Sequence, residues 1–309
     1  MASLTRTPLM GKRRQNTHQK TLQHLMNLWY LAPALAILLV FWIMPMLLVV
    51  LFSLFSWTYG TDPKWAGLSQ YHLVFSDPVF WQSIRVTLEF VSAVVVIGSL
   101  ISLILAVLLY RGIRAVGLFR SLYFLPYVLP VVATSTIWLW IYQSPLGVLD
   151  RFIHALGGSG SINWLAEPNL ALLALIIFTI WFSFGFTLLL FMAGLTNIPP
   201  DLFEAAEVDG ANSWQQFFKI TWPLLTPTTL FVVVINTINA FQSFTQIYAL
   251  TGGGPLNGTT TLTYYIYETA FKFFNFGPAS AAAVIFFILI LTLTGLQFWV
   301  SRRSIQYGG

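Results

Sequence analysis

The stretch that decides the fold is DLFEAAEVDGA, residues Asp201–Ala211, the most acidic part of an otherwise apolar chain. Asp201 follows two prolines and has Glu204 three residues later, a spacing typical of a capping box, so the sequence predicts a helix with Asp201 at its N-cap. Gly210 stands where a helix C-terminus needs a residue that tolerates positive φ. We therefore expect a short capped helix with no part of its own chain to pack against. Such a helix is typical of a segment that docks on a partner.

A second helix is predicted directly after the first. Ser213 with Gln216 repeats the capping spacing, and the apolar residues Phe217, Phe218 and Ile220 follow. Two capped helices between apolar segments are typical of an ordered interaction loop rather than of a solvated connection.

Composition places the chain in a membrane. Hydrophobic residues make up 57% of its 309 residues, charged residues only 8%, and the mean hydropathy is +0.76, which excludes a soluble globular domain. About 20 apolar residues are needed to span a bilayer as a helix. Six runs reach that length, so we predict an all-α, polytopic membrane protein with six transmembrane helices. The runs lie near Trp29–Phe52, Thr87–Tyr110, Phe119–Tyr142, Leu170–Leu195, Pro223–Leu250 and Ala279–Val300.

The distribution of basic residues predicts the orientation. Cytoplasmic segments of membrane proteins carry an excess of lysine and arginine, so we expect both termini and the acidic loop in the cytoplasm. The domains that follow are a cytoplasmic tail of residues 1–28, a transmembrane domain of residues 29–302 and a cytoplasmic tail of residues 303–309. The net charge of +5 is then a result of topology and requires no nucleic acid. The basic residues on this side are Arg6, Lys12, Arg13, Arg14, Lys20, Arg111, Arg114, Arg120, Arg302 and Arg303.

Several kinds of chemistry are excluded by what the sequence lacks. The chain has no cysteine, which excludes disulfides, metal–thiolate sites and thiol catalysis. It has no Gly-x-x-x-x-Gly-Lys-Ser/Thr loop for nucleotide phosphates, and its four histidines have no metal-binding spacing. Glu89 lies near the end of the second apolar run, and Arg85 on the same helix face predicts a structural ion pair rather than a proton path. We expect no catalytic residue, metal or cofactor in this chain.

Three motifs together resemble the permease subunits of ABC importers, closest to the binding-protein-dependent carbohydrate type. The first, EAA-x2-DGA beginning at Glu204, looks like the EAA loop of that family. The second is LTGGGP at Leu250–Pro255, and the third is FGPASAA at Phe276–Ala282. Trp222 stands where the family usually has leucine, and the large periplasmic insert and extra helices of the maltose permease are absent.

The resemblance implies the ABC type I importer permease fold and a cytoplasmic coupling loop at about residues 197–222. In such importers this loop docks on an ATPase dimer that binds ATP and Mg²⁺, so the chain itself would not be an enzyme. A second, homologous permease subunit would complete the pore in a prokaryotic cytoplasmic membrane, surrounded by membrane lipid, and an external solute-binding protein would deliver the solute. The residues that would couple to the ATPase are Glu204, Ala205, Ala206, Asp209, Gly210, Ala211, Phe218 and Pro223.

The fourth and fifth runs carry the candidate solute-binding residues. Polar uncharged side chains within apolar helices usually face a bundle interior, and beside aromatic rings they suit a sugar. Asn236, Asn239 and Ser243 recur at three- and four-residue spacing and share one helix face. The alternative is that such residues only join neighbouring helices. The candidates are Thr179, Phe182, Ser183, Phe186, Asn236, Asn239, Gln242 and Ser243.

The absence of charge on this face favours a small neutral carbohydrate or polyol over a phosphorylated solute. The solute itself stays open among disaccharides, oligosaccharides, glycerol-3-phosphate and osmolytes. Two other functions are compatible with six apolar runs. One is an ion-coupled secondary transporter of small polar solutes, which would need ion-coupling residues and inverted repeats. The other is a membrane scaffold with no solute path.

Overall fold

The computed structural model describes residues 30–110, 116–158 and 161–301. Helix α1 (Tyr30–Phe52) forms a unit by itself. Its 23 residues are enough to cross about 30 Å of hydrocarbon at 1.5 Å per residue. The predictions that lie outside the described ranges concern the tails 1–28 and 303–309, the first run's start at Trp29, and the basic residues Arg111, Arg114 and Arg302.

The second unit begins at Ser53 and is a helical bundle. A short antiparallel pair of strands, β1 (Phe55–Ser56) and β2 (Lys64–Trp65), precedes its helices, with Phe55 opposite Trp65. The helices are α2 (Ser69–Ser76), α3 (Pro78–Tyr110), α4 (Val116–Val128), α5 (Val131–Tyr142), α6 (Val148–Ala155), α7 (Pro168–Thr196), α8 (Pro200–Val208), α9 (Ser213–Phe241), α10 (Thr245–Leu250), α11 (Leu262–Tyr267) and α12 (Phe276–Ser301).

Five helices in the described part of the chain are long and apolar enough to cross a membrane, and six spans result if α4 and α5 are counted as one. The number agrees with the six predicted runs, but two runs are interrupted. Between α4 and α5 the chain bends by 95°, because Pro130 has no N–H to donate and disfavours a helical conformation at Leu129. The fifth run was predicted to reach Leu250 as one helix, which is wrong, since α9 ends at Phe241 and α10 begins at Thr245.

Helices α3 and α7 form the centre of the bundle, with α4 and α9 packed against them. The interior is apolar and aromatic, and Phe90 and Phe178 are fully buried. Helix α4 can approach α7 closely because residue 185 is a glycine. A Cβ atom on Gly185 would overlap the backbone carbonyl of Tyr123. The bundle therefore depends on backbone-to-backbone contact at this point, as membrane helices that pack through small residues do.

Side-chain hydrogen bonds close the end of the bundle where α3 begins. Thr87 Oγ1 accepts the N–H of Leu262 at 2.8 Å, and the Tyr265 hydroxyl donates to Asp77 Oδ2 at 2.7 Å. Burial, together with the Asp77 carboxylate, raises the pKa of the Tyr265 hydroxyl. The hydroxyl therefore stays protonated and remains a donor. The bonds join α3 to α11, which lies far from it in sequence.

Candidate functional site

Helix α8 (Pro200–Val208) is the first of the two predicted capped helices, but its N-cap is Pro199 and not Asp201. Pro200 occupies the first helical position, where the missing N–H costs nothing and the fixed φ starts the helix. Asp201 therefore lies within the first turn and makes no capping bond. Its carboxylate still favours the helix through the positive end of the helix dipole.

The C-terminus of α8 agrees with the prediction. Gly210 has φ of +75°, in the left-handed region that glycine adopts without steric cost. The N–H of Gly210 donates to the carbonyl of Glu207 at 3.0 Å, and the N–H of Ala211 donates to that of Ala206 at 2.8 Å. These two bonds form a Schellman motif, which ends the helix sharply.

The second helix begins one residue earlier than predicted. Asn212, not Ser213, is the N-cap: its Oδ1 accepts the N–H of Gln215 at 2.9 Å, and Gln215 Oε1 accepts the N–H of Asn212 at 2.8 Å. Asparagine caps a helix at least as well as serine does, so the box formed by Asn212 and Gln215 prevails over the one predicted for Ser213 and Gln216. The connection between α8 and α9 is thus fixed on both sides.

The outer face of α8 is acidic and exposed. Glu204, Ala205, Asp209 and Gly210 are exposed, whereas Ala206 and Ala211 are half-buried. Within the described ranges, no ion pair involves a carboxylate of this helix. A depression of about 860 Å³ beside α8 is lined by residues of α3, α7, α8 and α9 and of the connection between α8 and α9, among them Glu204, Glu207 and Ala211. This arrangement suits the docking of a basic surface.

Phe218 and Pro223, the last two predicted coupling residues, lie beyond the capping box and are exposed. The ring of Phe218 stacks on Trp214, with centroids 5.8 Å apart. The N–H of Trp222 bonds to the carbonyl of Phe217, five residues earlier, which widens this turn of α9. Because Pro223 has no N–H, the helix cannot keep a regular ladder there, and the wider turn absorbs the irregularity.

A partly open cavity of about 490 Å³ is lined mainly by residues of α3, α7 and α9, and its volume is within the range of about 300–1,000 Å³ typical of small-molecule sites. No side chain that lines it is charged in the described part of the chain. The structure brings together there all eight residues that the sequence nominated as solute-binding. These are Thr179, Phe182, Ser183, Phe186, Asn236, Asn239, Gln242 and Ser243.

Both interrupted spans are interrupted at this cavity. Tyr127, Leu129 and Val131 line it from the break between α4 and α5, and Gln242 to Thr245 line it from the break between α9 and α10. Non-helical backbone at membrane depth is tolerated only where protein buries it or a polar cavity satisfies it. Discontinuous helices are accordingly a mark of solute sites in membrane transporters.

The aromatic side of the cavity includes a residue that the sequence did not single out. The ring of Tyr127 stacks on that of Phe186, with centroids 4.9 Å apart and an interplanar angle of 12°, and lies 5.9 Å from that of Phe182. Flat rings of this kind pack against the C–H face of a sugar. The prolines at positions 126 and 130 are the signal that could have pointed to Tyr127, since it lies between them and next to the helix break.

The polar candidates differ in how far they are already hydrogen-bonded. Asn236 joins helices, because its Nδ2 donates to Ser99 Oγ at 3.2 Å and its Oδ1 accepts from Thr187 Oγ1 at 3.2 Å. Ser183 and Ser243 donate to carbonyls of the preceding turn.

Three other candidates keep their polar side-chain atoms free of such bonds. Asn239 and Gln242 are exposed in this chain and make no side-chain hydrogen bond within the described ranges. Thr179 is buried, and its Oγ1 has no partner there either. These three residues are the ones with hydrogen-bonding capacity to offer a solute.

The predicted ion pair is present away from the cavity. Arg85 Nε donates to Glu89 Oε1 at 2.7 Å on an exposed face of α3, and neither residue lines the cavity. The prediction that they pair is confirmed.

A polytopic bundle with an uncharged, partly open cavity at two helix breaks, and an exposed acidic helix between two of its spans, is the architecture of a membrane permease. Residues 98–306 match the family described as binding-protein-dependent transport system inner membrane component, and the chain belongs to that family.

Several characterised or named proteins are similar over most of their length. The probable ABC transporter permease protein YesP of Bacillus subtilis is 36% identical over 90% of this chain and 91% of its own. The lactose transport system permease protein LacF of Rhizobium radiobacter is 35% identical over 90% and 94%. The sn-glycerol-3-phosphate transport system permease protein UgpA of Agrobacterium fabrum is 33% identical over 81% and 85%.

The fold is shared with a solved bacterial ABC transporter involved in the import of alginate, with a TM-score of 0.81 over 93% of this chain and all of that one, at 22% identity. The chain is therefore a multi-pass inner-membrane permease subunit of an ATP-driven ABC importer, as its motifs predicted, and not an ion-coupled secondary transporter. In this family the permease subunits form the pore, and ATP hydrolysis belongs to a partner ATPase.

Proposed function

We propose that this permease imports a small neutral saccharide or polyol through the cavity at the two helix breaks. The observation that carries the proposal is the lining of that cavity, in which free amide groups and stacked aromatic rings stand together without charge. Saccharide hydroxyls need hydrogen-bond partners, and the C–H face of the ring needs a flat apolar surface. A phosphorylated solute would bring charge into a cavity that has no side chain to neutralise it.

The names of similar proteins support a saccharide-like solute without specifying it. Relatives are named as transporters of lactose, of starch degradation products, of sulfoquinovosyl glycerol and of sn-glycerol-3-phosphate. The last two of these are anionic, one through a sulfonate and the other through a phosphate, so a charged solute is the alternative against which the neutral one is tested.

The exposed acidic face of α8 supports a proposal for the rest of the assembly. A second homologous permease subunit completes the pore, and an ATPase dimer docks on α8 through basic residues that pair with Glu204. An external binding protein delivers the solute, and both termini of this chain lie in the cytoplasm. Binding of ATP and Mg²⁺ closes the ATPase dimer. Helix α8 moves with the ATPase on which it is docked, and the cavity then opens to the outside. When the ATPases separate, the cavity opens inward and releases the solute.

Purification from the native membrane tests the assembly. The chain is tagged at a terminus, away from residues 201–223, and isolated in a mild detergent for mass spectrometry. Recovery of a second permease and an ATPase is the expected result. Recovery of this chain alone would contradict the docking role of α8.

Uptake by proteoliposomes that contain the purified complex and its binding protein tests the solute. The probe is a solute mixture of lactose, maltose, raffinose, glycerol-3-phosphate and digalacturonate, with mass spectrometry of the lumen. We expect ATP-dependent accumulation of a neutral member. Accumulation of only the charged members would contradict a neutral solute, and accumulation of none would contradict saccharide import.

Two asparagines on the same face of α9 should respond differently to replacement by leucine. Asn239→Leu removes a free amide from the cavity, so uptake of the accumulated solute should weaken about 3- to 10-fold with an unchanged melting temperature. Asn236→Leu leaves Ser99 and Thr187 without their shared partner, a loss of about 1–3 kcal/mol, so the melting temperature of the complex should fall. Equal effects of the two changes on both readouts would refute this assignment.

A further inference from the structure

Helix α6 lies in the connection between two membrane-spanning segments. The preceding helix α5 ends at Tyr142, and the next span, α7, begins at Pro168. Residues 143–147, which join α5 to α6, extend at most about 3.5 Å each, so α6 begins close to the end of α5. Trp140, in the last turn of α5, is of the residue type that marks the level of lipid headgroups. Helix α6 therefore lies near the surface of the bilayer.

The two faces of α6 are arranged in the opposite way to those of a helix that borders water. Val148, Phe152 and Leu156, the last directly after the helix, follow one another at a spacing of four residues and so share a face. They are 48%, 60% and 73% exposed in this chain, respectively. Asp150, on the opposite side of the helix, is only 2% exposed. The apolar face thus points away from the bundle and the acidic residue points into it.

Hydrogen bonds to the buried carboxylate fix this orientation. Asp150 Oδ2 accepts from Ser144 Oγ at 2.8 Å, and Asp150 Oδ1 accepts the N–H of Ile162 at 3.4 Å. Burial of a carboxylate is unfavourable unless such bonds offset the loss of water. In water, the opposite orientation would bury the Phe152 ring and leave the carboxylate hydrated. The observed orientation therefore indicates that the environment outside α6 is apolar.

Arg151 and the adjoining end of α5 point to lipid as that environment. Arg151 is exposed beside the apolar face and forms no ion pair with a carboxylate of the described ranges. The surface of a phospholipid bilayer offers acyl chains to an apolar helix face and phosphates to an arginine at its edge. The exposed apolar surface also continues into the preceding span, where Ile137 and Trp140 are exposed. A lipid surface thus satisfies both the apolar stripe and the free guanidinium.

We propose that α6 lies in the headgroup region of the membrane as an interfacial helix. Val148, Phe152 and Leu156 contact acyl chains, and Arg151 binds a lipid phosphate. With both termini in the cytoplasm, as proposed above, the leaflet is the outer one. The inference concerns a surface remote from the transported solute and does not depend on what that solute is. Because α6 connects α5 to α7, its contact with lipid also holds the adjoining ends of both helices at a fixed depth.

Fluorescence quenching by brominated lipid tests the contact with acyl chains. The chain has no cysteine, so Phe152→Cys places a single bimane label on the apolar face. His154→Cys, on the opposite side of the same helix and also exposed, is the matched control. The labelled chain is purified with its partner subunits and reconstituted in nanodiscs of phosphatidylcholine brominated near the headgroup. Bromine should quench the label at position 152 at least about twofold more strongly than at position 154. The unsubstituted complex gives the background from thiols of the other subunits.

Iodide in the aqueous phase separates lipid from the other environments. At position 152 we expect strong quenching by bromine and weak quenching by iodide. Quenching by iodide alone would show that the apolar face borders water, and protection from both quenchers would show that another protein covers it. Either result would overturn the proposal. If Phe152→Cys does not assemble, Leu156→Cys reports on the same face.

Replacement of Arg151 tests the phosphate contact with the same label at position 152. Arg151→Glu brings a negative charge to the lipid phosphates and should reduce quenching by bromine about twofold, whereas Arg151→Lys should retain most of it. The elution volume of the complex in size-exclusion chromatography should be the same for both variants. Equal quenching in the two variants would overturn the assignment of Arg151 to a lipid phosphate.

Discussion

We expect replacement of Glu204 and Gly210 together by alanine to abolish ATP-driven uptake while the chain still inserts and folds. Glu204 is exposed on α8 without an ion pair in the described part of the chain, so its charge is available to a partner. Loss of one member of a charge pair that becomes buried on docking costs about 2–5 kcal/mol. Gly210 has φ of +75°, where an alanine costs about 1–2 kcal/mol and disturbs the end of α8. Because about 1.4 kcal/mol corresponds to a factor of ten in affinity, either loss alone should weaken docking of the ATPase by about tenfold or more.

The measurement is ATP-dependent uptake by the reconstituted complex, together with copurification of the ATPase. Asp201→Asn is the matched control, because it removes an exposed negative charge from the first turn of the same helix, where the carboxylate makes no capping bond. It should leave copurification of the ATPase intact. Full uptake by the double variant would show that α8 does not couple the permease to the ATPase.

We expect Gly185→Leu to prevent the bundle from folding. A Cβ atom added at this position would overlap the carbonyl oxygen of Tyr123 and lie 3.1 Å from the Cα atom of Phe124. The backbone of α4 would therefore have to move, because no flexible side chain can give way instead. Overpacking of this kind costs about 1–3 kcal/mol for a small side chain, and a leucine costs more. The displaced helix is α4, which carries Tyr127 into the cavity, so the solute site is lost with the packing.

The control for this change is Gly295→Leu. Gly295 is a helical glycine of α12, and a Cβ atom there would meet no atom of the described residues within 4 Å. We expect normal expression and an unchanged melting temperature for Gly295→Leu by fluorescence-detected size-exclusion chromatography. Gly185→Leu should give aggregated or degraded protein, and Gly185→Ala a lower melting temperature. A normal elution profile for Gly185→Leu would contradict the close approach of α4 and α7.

The sequence alone was sufficient to predict which residues lie together where those residues share one face of a helix. Asn236, Asn239 and Ser243 lie on the same side of α9 or just beyond its end because the helical repeat puts them there, and all three line the cavity. The end of α8 was equally predictable, since few residues other than glycine adopt the φ of Gly210.

The helix breaks were not predictable from residue type alone. Pro126 and Pro227 lie inside α4 and α9 without ending them, whereas Pro130 stands at a 95° bend. Whether a proline ends a helix depends on what satisfies the carbonyl that it leaves without a donor, and this is decided by neighbouring helices. Tyr127 was missed because its position depends on the packing of α4 against α7, which brings its ring beside that of Phe186. The N-cap of α9 was misplaced by one residue because Asn212 and Ser213 both have capping side chains.

The bend after α4 has a mechanical consequence. Helix α4 is fastened along α7, while α5 is fastened mainly to α10. The two halves of the interrupted span are therefore held by different neighbours. No continuous helix links them, because the bend at Leu129 and Pro130 separates α4 from α5. A displacement of α7 reaches α4 directly through packing, whereas it reaches α5 mainly through other contacts.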